Sequence, residues 1–393
     1  MNSVIVHYQE IALKGRNRPW FVERLVNNLR EVTRDLDVQQ VRPLMGRIEI
    51  TLGPDCDWPT LRERVGRVFG IANYAKAGRT KRDVDEIASM ILNVLDEEER
   101  TTTASVESFR VRASRADKSY YLKSPELERE VGGRVKQSKG WTVDLVNPDL
   151  EIRVEVLPEC VFYMLNKEKG QGGLPTGTSG AAMCLLSGGI DSPVAGFRLM
   201  KRGCRVHFVH FHAYPILSRT SQDKTKELAE LLAQYQLRSR LYTVPFGELQ
   251  QQVVISVPPP LRVVLYRRLM MRIAERLAQE SGAKALITGE SVGQVASQTL
   301  ENLTVTNEVV SLPVLRPLIG YDKEEITREA IRLGSYSISI IPDEDCCTLF
   351  TPKSPATKAR RVDVERAESA LPISDMVEKV LALTEQQDYK CSY

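Results

Sequence analysis

The residues of this chain best suited to chemistry form one short loop, Ser187-Gly188-Gly189-Ile190-Asp191-Ser192. The apolar run at 183–186 before it is typical of a buried parallel strand, and Pro193 after it suits the first turn of a helix. A glycine turn between a strand and a helix N-terminus presents unpaired N–H groups and a positive dipole end to an anion. The loop therefore predicts a pyrophosphate site, although a plain structural turn also fits these residues.

Asp191 is the unusual member of the loop, because a carboxylate repels phosphates unless it binds a metal ion or another donor. We therefore expect Mg²⁺ at this site, with Asp191 as a possible contact. The chain contains no Gly-Lys dipeptide, which excludes a Walker A loop. It also has no Gly-x-Gly-x-x-Gly opening a helix, so a dinucleotide-binding fold lacks its signature.

Two adjacent cysteines, Cys346 and Cys347, form the second candidate for chemistry. They follow three acidic residues in a stretch that resembles a loop, where an accessible thiolate could act as a nucleophile. The acids raise a thiol pKa, so activation would need a nearby cation or helix end. A pair of buried thiols is the alternative. The seven cysteines include no Cys-x-x-Cys pair, which favours reduced thiols over a disulfide framework or a zinc site.

Composition limits the class of protein. A chain of 393 residues with 42% hydrophobic content can bury two or three domain cores. The N-terminus has no signal-peptide layout and no apolar run reaches the ~18 residues of a membrane span, so we expect a cytoplasmic protein without membrane association. The net charge of +3 is too small to indicate a nucleic-acid partner by itself.

The chain divides at a glycine-rich linker, residues 166–180, which holds five glycines. Before it, alternating segments such as 47–52 and 151–156 predict half-buried antiparallel strands, and 18–36 and 83–95 predict helices. The first part is therefore α+β, with two small domains expected at 1–60 and 61–165. Residues 181–393 form the third expected domain.

Basic residues concentrate between 110 and 139, where nine face only four acidic residues. Phe109 and Val111 alternate with arginines along a predicted strand, and Ser124 starts a helix with further basic residues. Such an arrangement suits RNA phosphate contacts, although solvated charged faces would look the same. The candidate RNA-binding residues are Arg110, Arg112, Arg115, Lys118, Lys123, Arg134 and Lys136.

The second half alternates strand and helix patterns, at 205–211, 223–236, 240–244, 261–279 and 285–288, which predicts a doubly wound parallel sheet. Leucine and isoleucine residues at steps of four give the helix at 261–279 its buried stripe. Ligands in such folds bind beyond the carboxyl ends of the strands. Residues 186–192, 210–214 and 289–298 should therefore converge in one crevice.

The motif Ser-Gly-Gly-x-Asp-Ser resembles the signature of the PP-loop ATP pyrophosphatases. The chain as a whole is similar to the family of tRNA 4-thiouridine synthases of the ThiI type, through the stretches 7–15, 185–194, 209–212, 288–299 and 345–348. The resemblance implies an α/β fold in which a doubly wound PP-loop domain follows α+β ferredoxin-like and THUMP domains. It further implies ATP-dependent adenylation of uridine 8 of tRNA and replacement of O4 by persulfide sulfur. A cysteine desulfurase would supply the sulfur, and a homodimer is possible.

The resemblance also implies site residues. The sulfur carrier aligns best with Cys346, and Cys347 is a competitor; Asp191 completes the catalytic set. Only 46 residues follow Cys347, too few for the rhodanese-like domain of longer relatives, so we expect the short form without it. The thiol that resolves the persulfide could then be Cys347, Cys184, Cys204, Cys391 or external. The implied ATP contacts are Leu185, Leu186, Ser187, Gly188, Gly189, Asp191, Ser192, His210, Phe211, Arg267, Gly289 and Gln298.

Two other functions also fit parts of the sequence. A PP-loop enzyme of the amidotransferase or NAD synthetase type would explain residues 181–320 but not the basic N-terminal domains. A non-catalytic RNA-binding protein would explain residues 1–165 but not an intact loop at 187–192.

Overall fold

The computed structural model describes residues 1–101, 106–343 and 349–391. These residues form two compact units, the first spanning Met1–Leu174 and the second beginning at Pro175. The first unit is α+β and the second is α/β, which confirms the fold class expected from the sequence. Across the described part of the chain, none of the helices combines the length and apolar character that a membrane crossing requires.

The first unit alternates strands and helices. In chain order its elements are β1 (Ser3–His7), α1 (Arg18–Val32), β2 (Val38–Leu44), β3 (Arg47–Leu52), α2 (Trp58–Arg67), β4 (Asn73–Thr80), α3 (Val84–Thr101), β5 (Ser108–Arg115), α4 (Ser124–Lys139), β6 (Thr142–Val143), β7 (Leu150–Val156), β8 (Val161–Leu165) and β9 (Glu168–Lys169).

One mixed sheet runs through the first unit in the order β2-β3-β1-β4-β8-β7-β5-β6, with β9 paired to β4. The predicted alternation on β5 is confirmed, because Phe109 and Val111 are buried in the core with Leu127 and Val131 of α4. The intervening residues of β5 therefore point to the opposite face of the sheet. Strand β5 pairs with β7 in parallel, and this register sets Arg110 beside Glu151.

The second unit follows the strand-helix alternation read from the sequence. Its elements are β10 (Ala181–Leu185), α5 (Asp191–Lys201), β11 (Arg205–His212), α6 (Thr220–Gln236), β12 (Arg238–Pro245), α7 (Gly247–Ser256), α8 (Arg262–Glu280), β13 (Leu286–Ile287), α9 (Leu300–Asn307), β14 (Val314–Leu315), α10 (Lys323–Leu333), α11 (Tyr336–Ser339), α12 (Arg361–Glu368), α13 (Ile373–Ala382) and β15 (Glu385–Lys390).

The sheet of the second unit has the order β14-β13-β10-β11-β12-β15. Its strands are parallel except β15, which pairs with β12 in the antiparallel sense. The chain first builds outward from β10 to β12 and then returns to the other side of β10 with β13. The strand order thus reverses beside β10, and a crevice opens at the carboxyl ends of strands at such a point.

Helix α8 packs across this sheet through the stripe expected from the sequence. Leu265, Leu269, Ile273 and Leu277 are all buried in the main core of the unit. Because this apolar face holds the helix against the strands, the neighbouring positions of α8 reach the crevice at the strand ends.

Candidate active site

A crevice at the carboxyl ends of β10, β11 and β13 encloses about 820 Å³ of space, counting its open mouth. The three segments expected to converge do meet here. The lining residues are Leu185, Leu186, Ser187, Asp191, Ser192, Val209, His210, Phe211, Arg267, Met270, Met271, Thr288, Gly289, Glu290, Gln298 and Thr306.

The loop at 187–192, here named the phosphate loop, joins β10 to the N-terminus of α5. Its two serines shape it from inside: Ser187 N donates to Ser192 Oγ at 2.9 Å, and the two hydroxyls lie 3.1 Å apart. Ser192 is buried, so its hydroxyl serves the loop's own conformation. The loop is therefore preformed at the start of a helix, where N–H groups and the dipole favour an anion.

Gly289 lets the segment after β13 approach the start of α5. A Cβ at this position would lie 2.7 Å from Ser192 N and 2.9 Å from the carbonyl carbon of Asp191, closer than any side chain tolerates. The family resemblance implied that this glycine contacts ATP. In the structure the close contact is with the protein backbone, and it brings the two walls of the crevice together.

Asp191 lies at the mouth of the crevice with two partners from distant segments. Lys323 Nζ is 2.8 Å from Oδ1, and Gln294 Nε2 donates to Oδ2 at 3.0 Å. The second possibility raised by the sequence, that the carboxylate binds another donor, is therefore met by these side chains. Lys323 also brings a positive charge to the site at which phosphates would bind.

The same carboxylate fits a Mg²⁺ contact. Within the described residues, no group of three or more His, Cys, Asp or Glu side chains is arranged to hold a metal ion. Magnesium in nucleotide sites commonly takes only one or two carboxylates and completes its shell with phosphates and water. Asp191 would be that carboxylate beside the phosphate loop, and Lys323 and Gln294 would orient it.

Arg267 faces the crevice from α8 and is held by Glu290, which also binds Arg316 through an Nε–Oε2 hydrogen bond of 2.7 Å. Thr288 Oγ1 donates to the same carboxylate at 2.8 Å. Burial raises the pKa of Glu290, but the two guanidinium charges and these hydrogen bonds more than offset it, so the pKa lies below its usual value. Two positive charges around one carboxylate leave a net positive wall for an anion.

His210 and Phe211 at the end of β11 form the opposite wall. The His210 ring lies with Nδ1 3.0 Å from Leu186 O and 3.2 Å from Thr225 Oγ1, which fixes its orientation. Phe211 packs edge-on against Phe246 with centroids 5.5 Å apart, so it belongs to the core and lines the crevice at once. The His210 ring is thus held in place and the Phe211 ring adds an apolar surface, a combination that suits a base.

Gln298 carries a buried Oε1 atom with no hydrogen-bond partner among the described residues. The residue lines the crevice and is only 7% exposed. An unpaired buried acceptor is costly unless a ligand satisfies it. The amino group of a bound adenine is a donor of this kind.

Most of the residues proposed for ATP lie together in the crevice; Gly188 and Gly189 belong to the phosphate loop but do not line it. Sequence reasoning missed several lining residues. Met270 and Met271 could have been found, because they stand three and four positions after Arg267 on the same helix. The lining residues that the sequence did not name as ATP contacts are Val209, Met270, Met271, Thr288, Glu290 and Thr306, of which Glu290 falls within a segment expected at the crevice.

The predicted sulfur carriers Cys346 and Cys347 lie outside the described residues. Of the other thiols, Cys184 lies fully buried beneath the phosphate loop, and burial raises its pKa to about 12. Burial also raises the pKa of Cys204. Neither thiol is poised as a thiolate.

The basic residues proposed for RNA fall into two groups in the first unit. Arg110 binds Glu151 and the Leu145 carbonyl, Arg115 donates to the carbonyls of Tyr120 and Leu122, and Arg134 binds Val84 O and Asp85. These three arginines support the fold. The exposed members of the set are Arg112, Lys118, Lys123 and Lys136.

Three family models match the chain. The model described as thiamine biosynthesis protein (ThiI) matches residues 177–373, the ThiI ferredoxin-like domain matches 3–75, and the THUMP domain matches 81–165. "Probable tRNA sulfurtransferase" of Thermus thermophilus is 45% identical over 384 residues, covering 97% of this chain and 91% of that protein. The protein of the same name from Alkaliphilus metalliredigens is 42% identical, covering 97% and 96%.

Solved structures agree over a similar length. A 4-thiouridine synthetase, crystallised with RNA and bound ATP, has a TM-score of 0.89 at 36% identity and covers 99% of this chain and 100% of its own. PH1313 from Pyrococcus horikoshii has a TM-score of 0.67 at 27% identity, covering 85% and 100%. These likenesses confirm the arrangement of domain types expected from the sequence.

Proposed function

The chain belongs to the ThiI family, it acts as an ATP-dependent tRNA sulfurtransferase, and we propose that it adenylates O4 of uridine 8 and replaces this oxygen with persulfide sulfur. One observation carries the proposal. The phosphate loop, Arg267 and the Asp191–Lys323 pair meet in a single crevice, in a chain that matches an ATP-bound 4-thiouridine synthetase over 99% of its length.

In the first step O4 of the uridine attacks the α-phosphorus of ATP, the bond to the bridging oxygen breaks, and pyrophosphate leaves. The base loses its N3 proton, so the product is an O4-adenylated uridine. Loop N–H groups and the N-terminus of α5 receive the leaving group, while Lys323 and Arg267 supply positive charge. These donors are already in place, so little reorganisation accompanies the charge that develops.

Magnesium fits this step at Asp191. When bound, it would supply Lewis-acid stabilisation of the pyrophosphate oxygens. Lys323 and Gln294 each bind one oxygen of this carboxylate and would fix its direction.

In the second step the terminal sulfur of a cysteine persulfide attacks C4, the C4–O4 bond breaks, and AMP leaves with the oxygen. The base is then joined to the cysteine through an S–S bond. A second thiol attacks the cysteine sulfur, which releases 4-thiouridine and leaves a disulfide between the carrier cysteine and that second thiol. We propose Cys346 as the carrier and a cysteine desulfurase as the sulfur source, with Cys347 or an external thiol for the last exchange, because Cys184 is fully buried.

The first unit would hold the tRNA. We propose that the exposed basic residues contact phosphates, which positions the RNA without reading its sequence. Arg110, Arg115 and Arg134 keep the strand and helix in shape through their internal partners. A homodimer and a cytoplasmic location stay predictions.

The proposal is tested with the purified chain, a tRNA transcript, ATP and a persulfide donor, by mass spectrometry of the digested RNA. We expect 4-thiouridine at position 8, and none in a transcript with cytidine there. Cys346→Ser should abolish the product while Cys347→Ser retains part of it. Unmodified tRNA in the complete reaction would remove the proposed activity, and the reverse cysteine pattern would move the carrier to Cys347.

A further inference from the structure

Lys224 of α6 is a buried lysine beside the phosphate loop, and the steps above leave it unused. Its side chain is 4% exposed. The ammonium donates to Ser339 O at 3.0 Å and to Ile341 O at 2.7 Å, and it lies 3.0 Å from Asp343 Oδ1. All three partners belong to one short segment, residues 339–343, which begins at the last residue of α11.

These contacts use the full capacity of the lysine. A lysine ammonium carries three N–H donors and no acceptor. Two carbonyl oxygens and one carboxylate occupy all three, and the Asp343 charge cancels that of the lysine. Lys224 therefore has no donor left for a phosphate, so its function lies in the segment that it holds.

The segment is braced against the phosphate loop at two points. Ser339 Oγ donates to Gly189 O at 3.2 Å. At Gly188, a Cβ atom would lie 3.0 Å from Asp343 Oδ2 and 3.3 Å from Lys224 Cε, so a larger residue would press on this contact. The loop that receives pyrophosphate and the segment held by Lys224 thus form one packed body.

We propose that Lys224 is a positioning residue for sulfur transfer: with Asp343 it anchors segment 339–343, and hence the start of the cysteine-bearing stretch, on the phosphate loop. Cys346 follows Asp343 by three residues, and three peptide units span at most about 11 Å. The anchor therefore limits how far the carrier can lie from the adenylated base. This inference rests on the proposed function.

The anchor separates the two halves of the reaction, since pyrophosphate release needs only the crevice while sulfur transfer needs the segment. Lys224→Met keeps the length of the side chain and removes all three contacts. Lys226→Met is the matched control, because this lysine is exposed on the same helix. For each variant we would measure pyrophosphate released and 4-thiouridine formed per tRNA.

We expect Lys224→Met to release pyrophosphate within about twofold of wild type and to lose at least about tenfold in 4-thiouridine formation, because small displacements of a reacting group cost rate steeply. Lys226→Met should change neither. Equal losses of both products in Lys224→Met, or no loss of 4-thiouridine, would overturn the proposal. So would an equal effect of Lys226→Met.

Asp343→Asn provides the test if Lys224→Met does not fold. It keeps the two carbonyl contacts but leaves the buried ammonium without its counter-charge, so we expect a lower melting temperature, about threefold slower thiolation and unchanged pyrophosphate release. Unchanged thiolation would again overturn the anchor. If the wild-type chain makes no 4-thiouridine, the proposed function fails.

The anchor can then be tested by itself through amide hydrogen exchange of residues 336–343. Asp343→Asn must accelerate this exchange and Lys226→Met must not. Equal exchange rates in both variants would overturn the anchor.

Discussion

Two glutamates of this protein each hold several arginines, and they do so in different surroundings. Glu290 binds Arg267 and Arg316 inside the crevice of the second unit. Glu151 of the first unit gathers Arg110, Arg112 and Arg153 on the face of an open sheet. Both networks have an excess of positive charge, as anion-binding surfaces do.

The difference lies in the crevice that the first network lines and in one exposed arginine of the second. In the crevice, Arg267 and Arg316 are 22% and 16% exposed and Glu290 is buried, so each charge depends on its partner. On the sheet, Arg110 and Arg153 are enclosed to a similar degree, 19% and 21% exposed; Arg112 differs, since it is 56% exposed and lies 3.6 Å from the carboxylate, so water screens its contact. The same residue types therefore line a ligand crevice in one unit and, in the other, brace a sheet face whose outer arginine stays open to solvent.

The largest effect should come from removing the central carboxylate of each network. Glu290→Gln leaves two guanidinium charges in a confined space, and we expect it to raise the KM for ATP at least about tenfold and to lower the free energy of unfolding by about 3 kcal/mol. Glu151→Gln also leaves enclosed guanidinium charges without their partner, so we expect a stability loss of similar size, about 3 kcal/mol, but an unchanged KM for ATP. Pyrophosphate release and urea unfolding measure the two quantities.

Lys323→Gln is a useful reference in the same assay, because it removes a charge at the mouth of the crevice without disturbing the buried network. It should slow pyrophosphate release with little change in stability. If Glu151→Gln raises the KM for ATP as Glu290→Gln does, the distinction between a network that lines the crevice and one that braces the sheet is wrong.

Lowering the pH should destabilise the two units by different amounts, and these effects should be smaller than those of the glutamate substitutions. Burial, together with the charges of His210 and Lys226, lowers the pKa of His212 in the second unit to about 4. In the unfolded chain this histidine takes up its proton near pH 6.5. Its contribution to stability is therefore present above that pH and is lost as the pH falls toward 4. The free energy of unfolding of the second unit should fall by about 1–2 kcal/mol between pH 7 and 5.

Glu155 gives the first unit a different profile. Burial raises the pKa of Glu155, but the hydrogen bond and charge of His7, with Arg47 and Arg153, bring it below its usual value. Its stabilisation is present above about pH 4.5 and is lost only at lower pH. Amide exchange of peptides from each unit at pH 7 and pH 5, corrected for intrinsic rates, checks the contrast; equal losses in both units would contradict it.

Arginine substitutions on β5 should show that exposure decides which residues contact RNA. Arg112→Ala should weaken tRNA binding a few-fold and reduce the salt slope of the affinity by about one. Arg115→Ala removes two hydrogen bonds to backbone carbonyls. It should therefore lower the free energy of unfolding by about 1–2 kcal/mol and leave the salt slope of the tRNA affinity unchanged. Binding measured at several salt concentrations distinguishes them, and the expectation fails if both variants reduce the slope alike.

The smallest effect is expected at a buried thiol. Cys184→Ala should change the rate of 4-thiouridine formation less than about twofold, because a fully buried thiol beneath the phosphate loop does not meet the persulfide. Cys56→Ala, at a half-buried thiol of the first unit, is the control. A tenfold loss of 4-thiouridine in Cys184→Ala alone, with pyrophosphate release intact, would show that this thiol takes part in resolution.

Much of the second unit could be predicted from local patterns. The apolar run, glycine turn and proline between 183 and 193 identify β10, the phosphate loop and α5, and the four-residue stripe identifies α8. The rule for parallel sheets then brings the strand ends together, which is why most of the proposed ATP residues line one crevice.

Contacts between distant segments could not be predicted in this way. Lys323 and Gln294 reach Asp191 from more than 100 residues away, and no local pattern signals their approach. On β5 the count of arginines was visible, but their partners depend on the parallel register with β7, which places Arg110 beside Glu151. Sequence reveals where charge accumulates; only packing reveals which charge is already paired.

The central claim is that this crevice activates a uridine at the α-phosphate of ATP, and pyrophosphate exchange into ATP tests it most directly. With wild-type chain we expect exchange that requires tRNA. Asp191→Ala should lower it at least about a hundredfold while tRNA binding persists. Exchange at the wild-type rate in Asp191→Ala, or equal exchange without tRNA, would contradict the account.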